Sequence, residues 1–230
     1  MRRTLQLGLV AMLAGSTTPA WARPSLPAAA QASLERYDVL GYSDPHKDGI
    51  ERGKAIGLFD ATPNEVYRIA SDYARWSEFM PKVKRSEVVS WSGSDCLVST
   101  TAELKLLGES WVEARYHHEA LAGETYRIDF QMVRGSMRQY FGRILIEPYV
   151  LPSGQLKTTV TYELVAEPNV YAPRGMLNRA IKRTASNSVH ALRQRINDLH
   201  AAGLLHPNAP PQPTTPVAEQ ASKARPQAKK

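Results

Sequence analysis

The chain has 230 residues, 43% apolar and 22% charged, an ordinary composition for one globular domain and a short one for two. Of its formal net charge of +7, Arg2 and Arg3 supply two and the tail after His206 supplies three, so the middle carries only about +2, too mild a charge to mark a nucleic-acid surface. Cys96 is the single cysteine, which excludes an intramolecular disulfide and a cysteine-based zinc site.

Residues 1–22 combine Met-Arg-Arg, an apolar run from Leu5 to Ala14, and Ala20-Trp21-Ala22. A basic start, a short apolar core and an A-x-A site describe a secretory signal peptide cut after Ala22. Ser16 stands where a lipid-bearing cysteine would be needed, so no lipid anchor is expected. The protein is therefore expected to be exported, and periplasmic if its source is Gram-negative. Residues 23–49 read as an amino-terminal segment, a linker or short helix in its Ala- and Pro-rich part and a turn cluster at Asp44–Gly49.

Ile50 to Phe59 suits a first strand. Thr62-Pro63-Asn64-Glu65 then announces a helix: Thr62 caps, Pro63 fits the first helical position, and Glu65 completes a capping box. A second short helix is expected from Tyr73 to Phe79, ending before Pro81.

From Val83 to Ala166 the apolar period becomes two. Val98, Thr100, Ala102 and Leu104 form one dry face, as do Val112, Ala114 and Tyr116, then Tyr126, Ile128, Phe130 and Met132. Tyr140, Ile144 and Ile146 continue it, followed by Val160, Tyr162 and Leu164. Gly- and Ser-rich turns separate these runs, so the expectation is an antiparallel meander of about six strands. The wet face carries Glu103, Glu113, Arg115, Arg127, Asp129, Arg143 and Glu163, read as a solvent-facing ladder of opposite charges.

Pro173 opens a long helix, about Arg174 to His200, reaching about 40 Å. Leu177, Ile181, Ala185, Ser188, Leu192, Ile196 and Leu199 make one stripe along it. After Gly203 the Pro, Ala, Gln and Lys content predicts a disordered basic tail over 204–230.

Lys54-Ala55 through Phe59-Asp60-Ala61, the Thr62–Tyr67 helix start, Asp72-Tyr73 with Trp76-x-x-Phe79-Met80-Pro81, Gly142-Arg143-Ile144, and Thr161–Leu164 follow one another in an order that resembles the helix-grip superfamily. That superfamily includes StAR-related lipid-transfer domains, polyketide cyclases and coenzyme Q-binding proteins (the SRPBCC group). Ile144 departs from the Trp usual in its strand motif. The resemblance covers about residues 50–200. It implies an α+β fold: a curved antiparallel sheet of six to seven strands wrapped around the long carboxy-terminal helix, with two short helices after strand 1.

The resemblance also implies a cavity between sheet and helix. Small or polar members of the helix stripe, Ala185 and Ser188, agree with one, and tyrosines on a dry face need hydroxyl partners. The expected wall comprises Phe79, Met80, Ala114, Tyr116, Tyr126, Ile128, Phe130 and Met132, with Tyr140, Ile144, Tyr162, Leu177, Ile181, Ala185 and Ser188. The expected occupant is a hydrophobic small molecule or lipid, quinone or polyketide-like. Two alternatives stand beside this reading. One is a cyclase or dehydratase in the same pocket, for which Tyr162, Tyr126 and an inward-turned Arg115 are the suspects. The other is an envelope-interaction protein using the basic tail, which also suggests weak membrane-surface contact.

No cofactor, metal or nucleic-acid partner is expected. His117 and His118 are adjacent on a strand and point to opposite faces, so they cannot chelate one ion. No phosphate-cradling glycine motif and no nucleophile elbow occur.

Overall fold

The computed structural model describes residues 28–104, 108–151 and 153–205. The expected signal peptide lies outside these residues, as does all but the start of the expected tail.

Helix α1 (Ala28–Tyr37) leads into strand β1 (Val39–Pro45), which turns through a 3-10 segment at Lys47–Gly49 into β2 (Glu51–Phe59). The two strands pair antiparallel, from Val39 opposite Gly57 to Pro45 opposite Glu51. The short-helix alternative for the Ala-rich part is thus realised as α1, while Val39–Pro45, for which no strand was expected, brings the sheet to eight strands rather than six or seven. With Gly41 and Pro45 in seven residues, β1 has little intrinsic strand preference. Tertiary contacts hold it instead. Lys54 on β2 binds Asp44 at 2.6 Å, and Leu34 of α1 is fully buried in a cluster with Ile56, Leu58 and Tyr149.

The Thr62 hydroxyl accepts from the Glu65 amide at 3.3 Å and the Glu65 carboxylate accepts from the Thr62 amide at 2.8 Å, so the capping box starts α2 (Pro63–Ala70) as expected. A 3-10 turn at Tyr73–Arg75 and α3 (Trp76–Phe79) follow.

The hairpin run comprises β3 (Val83–Ser92), β4 (Asp95–Leu104), β5 (Gly108–Leu121), β6 (Thr125–Gly135), β7 (Met137–Val150) and β8 (Leu156–Pro168). Strand order is β1-β2-β8-β7-β6-β5-β4-β3, so β8 returns to pair with β2, Gly53 facing Leu164 and Phe59 facing Thr158. The alternation holds. Val98, Ala114, Tyr116, Ile128 and Ile144 are buried on one face. On the other, Arg134 binds Glu113 at 2.7 Å, Arg143 binds Asp129 at 2.6 Å, and Lys54 reaches Glu163 at 3.1 Å.

Helix α4 (Arg174–Ala201) crosses the inner face and buries Leu177, Ile181, Ala185, Ser188, Val189, Leu192 and Ile196. It can lie close to β2 because Gly53 and Gly57 have no side chains. A Cβ on Gly53 would stand 2.8 Å from the Ile181 carbonyl oxygen, and one on Gly57 would stand 2.4 Å from a Val189 methyl.

A candidate ligand cavity beneath the long helix

Part of the space between α4 and the sheet is filled by aromatic rings. Tyr73 packs on Tyr116 with centroids 4.6 Å apart, and Trp76 meets the same ring edge-on at 5.6 Å. Tyr116 stacks on Phe130 at 5.4 Å, and Phe130 on Tyr162 at 5.9 Å. Together with Val189, Leu192 and Ile196, these rings leave the carboxy-terminal half of α4 densely packed.

The amino-terminal half of α4 is not filled in this way. A cavity of about 280 Å³ lies there, walled by Met176, Leu177, Ala180, Ile181, Thr184 and Ser188 of α4. Opposite them stand Thr100, Ala102 and Leu104 of β4, Val112 of β5, Met137 and Tyr140 of β7, and Tyr162, Leu164 and Ala166 of β8. Met80, Pro81, Lys82 and Val83 close one side. Its wall includes several small side chains, Ala180 and Ser188 of α4 and Thr100, Ala102 and Ala166 of the sheet, where a filled core would place Leu or Phe.

Of the wall expected from sequence, Met80, Tyr140, Tyr162, Leu177, Ile181 and Ser188 line this cavity. Ala114, Tyr116, Ile128, Phe130, Ile144 and Ala185 are buried core residues that do not line it. Tyr126 stacks on Tyr67 at 4.5 Å and accepts from Asn64 at 3.2 Å, away from the cavity. Phe79 lies under the Arg195 guanidinium, 5.7 Å from its ring centre. Met132 borders a separate, open depression of about 510 Å³ around Gly142, ringed by Arg115, His117, Asp129, Gln131 and Phe141. Arg115 is exposed on that outer face and does not turn inward. The depression is larger and more open than the cavity, and its wall mixes the charged or polar Arg115, His117, Asp129 and Gln131 with apolar Phe130, Met132, Val133 and Phe141.

The sequence reading missed Thr100, Ala102, Leu104, Val112, Met137, Ala166, Met176, Ala180 and Thr184. For Thr100, Ala102, Ala166, Ala180 and Thr184 the available signal was small residues in phase on the dry face or beside the helix stripe.

Inside the cavity the chemistry is neutral. Burial raises the Tyr140 phenol above its usual range and raises Tyr162 and Tyr116 well above it, so all three stay protonated at ordinary pH. Among the described residues lining the cavity, Lys82 is the only one with a basic side chain, and none is acidic. His118 lies outside it, held between Tyr67 and Tyr73. Its neighbour His117 points outward to Asp95 at 2.8 Å. No group of three or more potential metal-ligating His, Cys, Asp or Glu side chains is found among the described residues, and none of their helices is long and apolar enough to cross a membrane.

The same architecture recurs in solved structures. A STAR-related lipid transfer protein fragment from Xanthomonas axonopodis superposes with a TM-score of 0.61 at 14% identity, over 70% of this chain and 94% of that one. Human StAR-related lipid transfer protein 5 gives 0.56 at 14% identity, over 75% and 94%. The Zhui aromatase/cyclase from Streptomyces sp. R1128 gives 0.52 at 13% identity, over 67% and 98%. At such identities the likeness concerns the fold. A search of curated proteins finds no match. The family model described as polyketide cyclase / dehydrase and lipid transport matches residues 59–193, more than half of the chain, spanning β2 to α4 and thus every element that walls the cavity, and the protein belongs to that family.

Proposed function

We propose that the protein binds a hydrophobic small molecule in the cavity between the sheet and the amino-terminal half of α4. One observation carries this reading: a partly open, mainly apolar cavity of about 280 Å³ lies between α4 and the sheet, where close packing is the norm. The names of similar structures, two lipid-transfer proteins and an aromatase/cyclase, point to apolar ligands on this scaffold. Binding is favoured over cyclase chemistry because the lining offers neutral phenols and one rim lysine, with no carboxylate or imidazole to take a proton.

The test is uptake of a hydrophobic fluorescent probe by the purified protein, compared with Ala102→Phe. The added ring fills the void from β4. Saturable uptake in the native chain, lost in a folded Ala102→Phe variant, is the expected outcome. Equal uptake by both proteins places binding elsewhere.

We further propose that binding occurs outside the cytoplasm and that the basic tail touches anionic lipid surfaces. These readings are supported by the composition of residues 1–22 and 204–230. Amino-terminal sequencing of the secreted fraction tests the first: a mature chain starting at Arg23 is expected, with intact Met1 in the cytosol the contrary result.

A further inference from the structure

The turn that leads from α3 into β3 places a lysine on the cavity wall. Pro81 is its second position and Lys82 its third, and the Val83 amide closes it by donating to the Met80 carbonyl at 3.3 Å. Lys82 sits there at φ +67, in the left-handed region that such turns give to Gly or Asn. Its carbonyl accepts from the Glu103 amide at 2.9 Å, so β4 holds the backbone in place. A lysine kept where glycine or asparagine would be less strained points to a use for its side chain.

Charge indicates that use. Among the described residues, Lys82 is the one charged side chain on the wall. Its ammonium has no carboxylate partner and no hydrogen bond among them, whereas Lys84, two residues on, is held by Glu103 at 2.8 Å. Glu109 stands opposite Glu103 on the wet face of the sheet. Glu167, between the lining residues Ala166 and Pro168, is already bound by Arg174 at 2.8 Å. The half of α4 that walls the cavity carries Arg174, Arg179, Lys182 and Arg183 and no acidic residue. An ionised group deep among the neutral phenols would lack a counter-charge. At the opening, where Lys82 is exposed, the same group keeps part of its hydration and meets a free cation.

Resting on the binding reading above, we infer that the ligand is an amphiphile with an anionic head, a carboxylate or phosphate, its apolar part in the cavity and its head paired with the Lys82 ammonium at the opening.

The experiment measures displacement of the fluorescent probe by 1-decanol, decanoate, decyl phosphate and decyltrimethylammonium, each below its micelle concentration. In the native protein an anion should bind about fivefold tighter than 1-decanol, the scale of one exposed ion pair, and the cation more weakly than either. A lead for either anion supports the inference, and the larger lead names the head group. Lys82→Asn suits the left-handed backbone, so its denaturant midpoint should lie at or above the native one. In that variant the anion's lead should shrink to within about twofold of 1-decanol. Lys82→Arg should keep the lead. If 1-decanol binds the native protein as tightly as both anions, the inference is overturned while the cavity reading stands. That result needs no variant to fold. A lead that survives in folded Lys82→Asn puts the head elsewhere and also overturns the inference. If no probe is displaced by any of the four, the cavity reading fails and the inference with it.

Discussion

The Nε2 of His118 lies 2.9 Å from the hydroxyl of Tyr73, inside the domain. Nδ1 of the same ring lies 2.9 Å from the hydroxyl of Tyr67. The neutral imidazole meets both needs at once, donating through one nitrogen and accepting through the other. The ring thus ties β5 to α2 and to the turn before α3.

Protonation makes both ring nitrogens donors, so the phenol that had donated must turn its proton away and accept, and a charge is placed in a buried site. Burial, reinforced by neighbouring His117 and opposed by Asp95, pushes the His118 pKa down from 6.5 to about 4. In the unfolded chain the ring takes up its proton near pH 6.5, while the folded state resists until about pH 4. This group's contribution is therefore complete above pH 6.5, falls as pH drops from there to about 4, and amounts to roughly 3 kcal/mol at most. Thermal unfolding followed from pH 7 to pH 4 should show the native midpoint falling more steeply than that of His118→Gln. Parallel slopes would remove His118 from the account. At pH 7 the same substitution should destabilise by about 1–3 kcal/mol by disturbing the buried Tyr73 hydroxyl and the half-buried one of Tyr67.

The seat of α4 on β2 predicts opposite signs for one kind of substitution. Gly57→Ala puts a Cβ 2.4 Å from a Val189 methyl and 2.9 Å from the Phe59 ring, and should destabilise by about 1–3 kcal/mol. Gly175→Ala, in the first turn of α4, has nothing within 4 Å and no positive φ. There the loss of unfolded-state freedom should stabilise by roughly 0.5 kcal/mol. Denaturant midpoints measure both. A neutral Gly57→Ala would mean that α4 is free to shift.

Cys96 is fully buried, and burial pushes its thiol up to about 12. Little thiolate forms at neutral pH, so the native protein should react with an aromatic disulfide reagent only on the timescale of opening. Rapid labelling without denaturant would show that β4 opens far more readily than its packing implies.

Much of this fold is legible from the sequence because its signals are local. Thr62 and Glu65 sit three apart, and that spacing alone specifies the start of α2. Two-residue alternation likewise marks the inner faces of β4 to β8. Strand β1 is not legible, since Val39–Pro45 forms a strand only by pairing with β2 and by the Lys54–Asp44 tether. The cavity is half legible. Alternation shows which side of a strand is dry, but not whether the dry side meets a ring or another small residue. Tyr116 and Phe130 are in phase with the cavity wall, yet Tyr116 packs against Tyr73, Phe130 stacks on Tyr162, and both fill the core. Ala102, Ala166 and Ala180 come from distant parts of the chain, and only the fold brings them into one cavity wall. Parity likewise puts His118 on the inner face, while its partners Tyr67 and Tyr73 arrive from elsewhere.

The most direct test is crystallographic. Crystals soaked with a short bromoalkane should show the bromine's anomalous signal between Ala102 of β4 and Ala180 of α4, inside the wall formed by Leu177, Ile181 and Tyr162. A filled, bromine-free interior, or a bromine found only in the depression around Gly142, would contradict the proposal that this protein holds its ligand beneath α4.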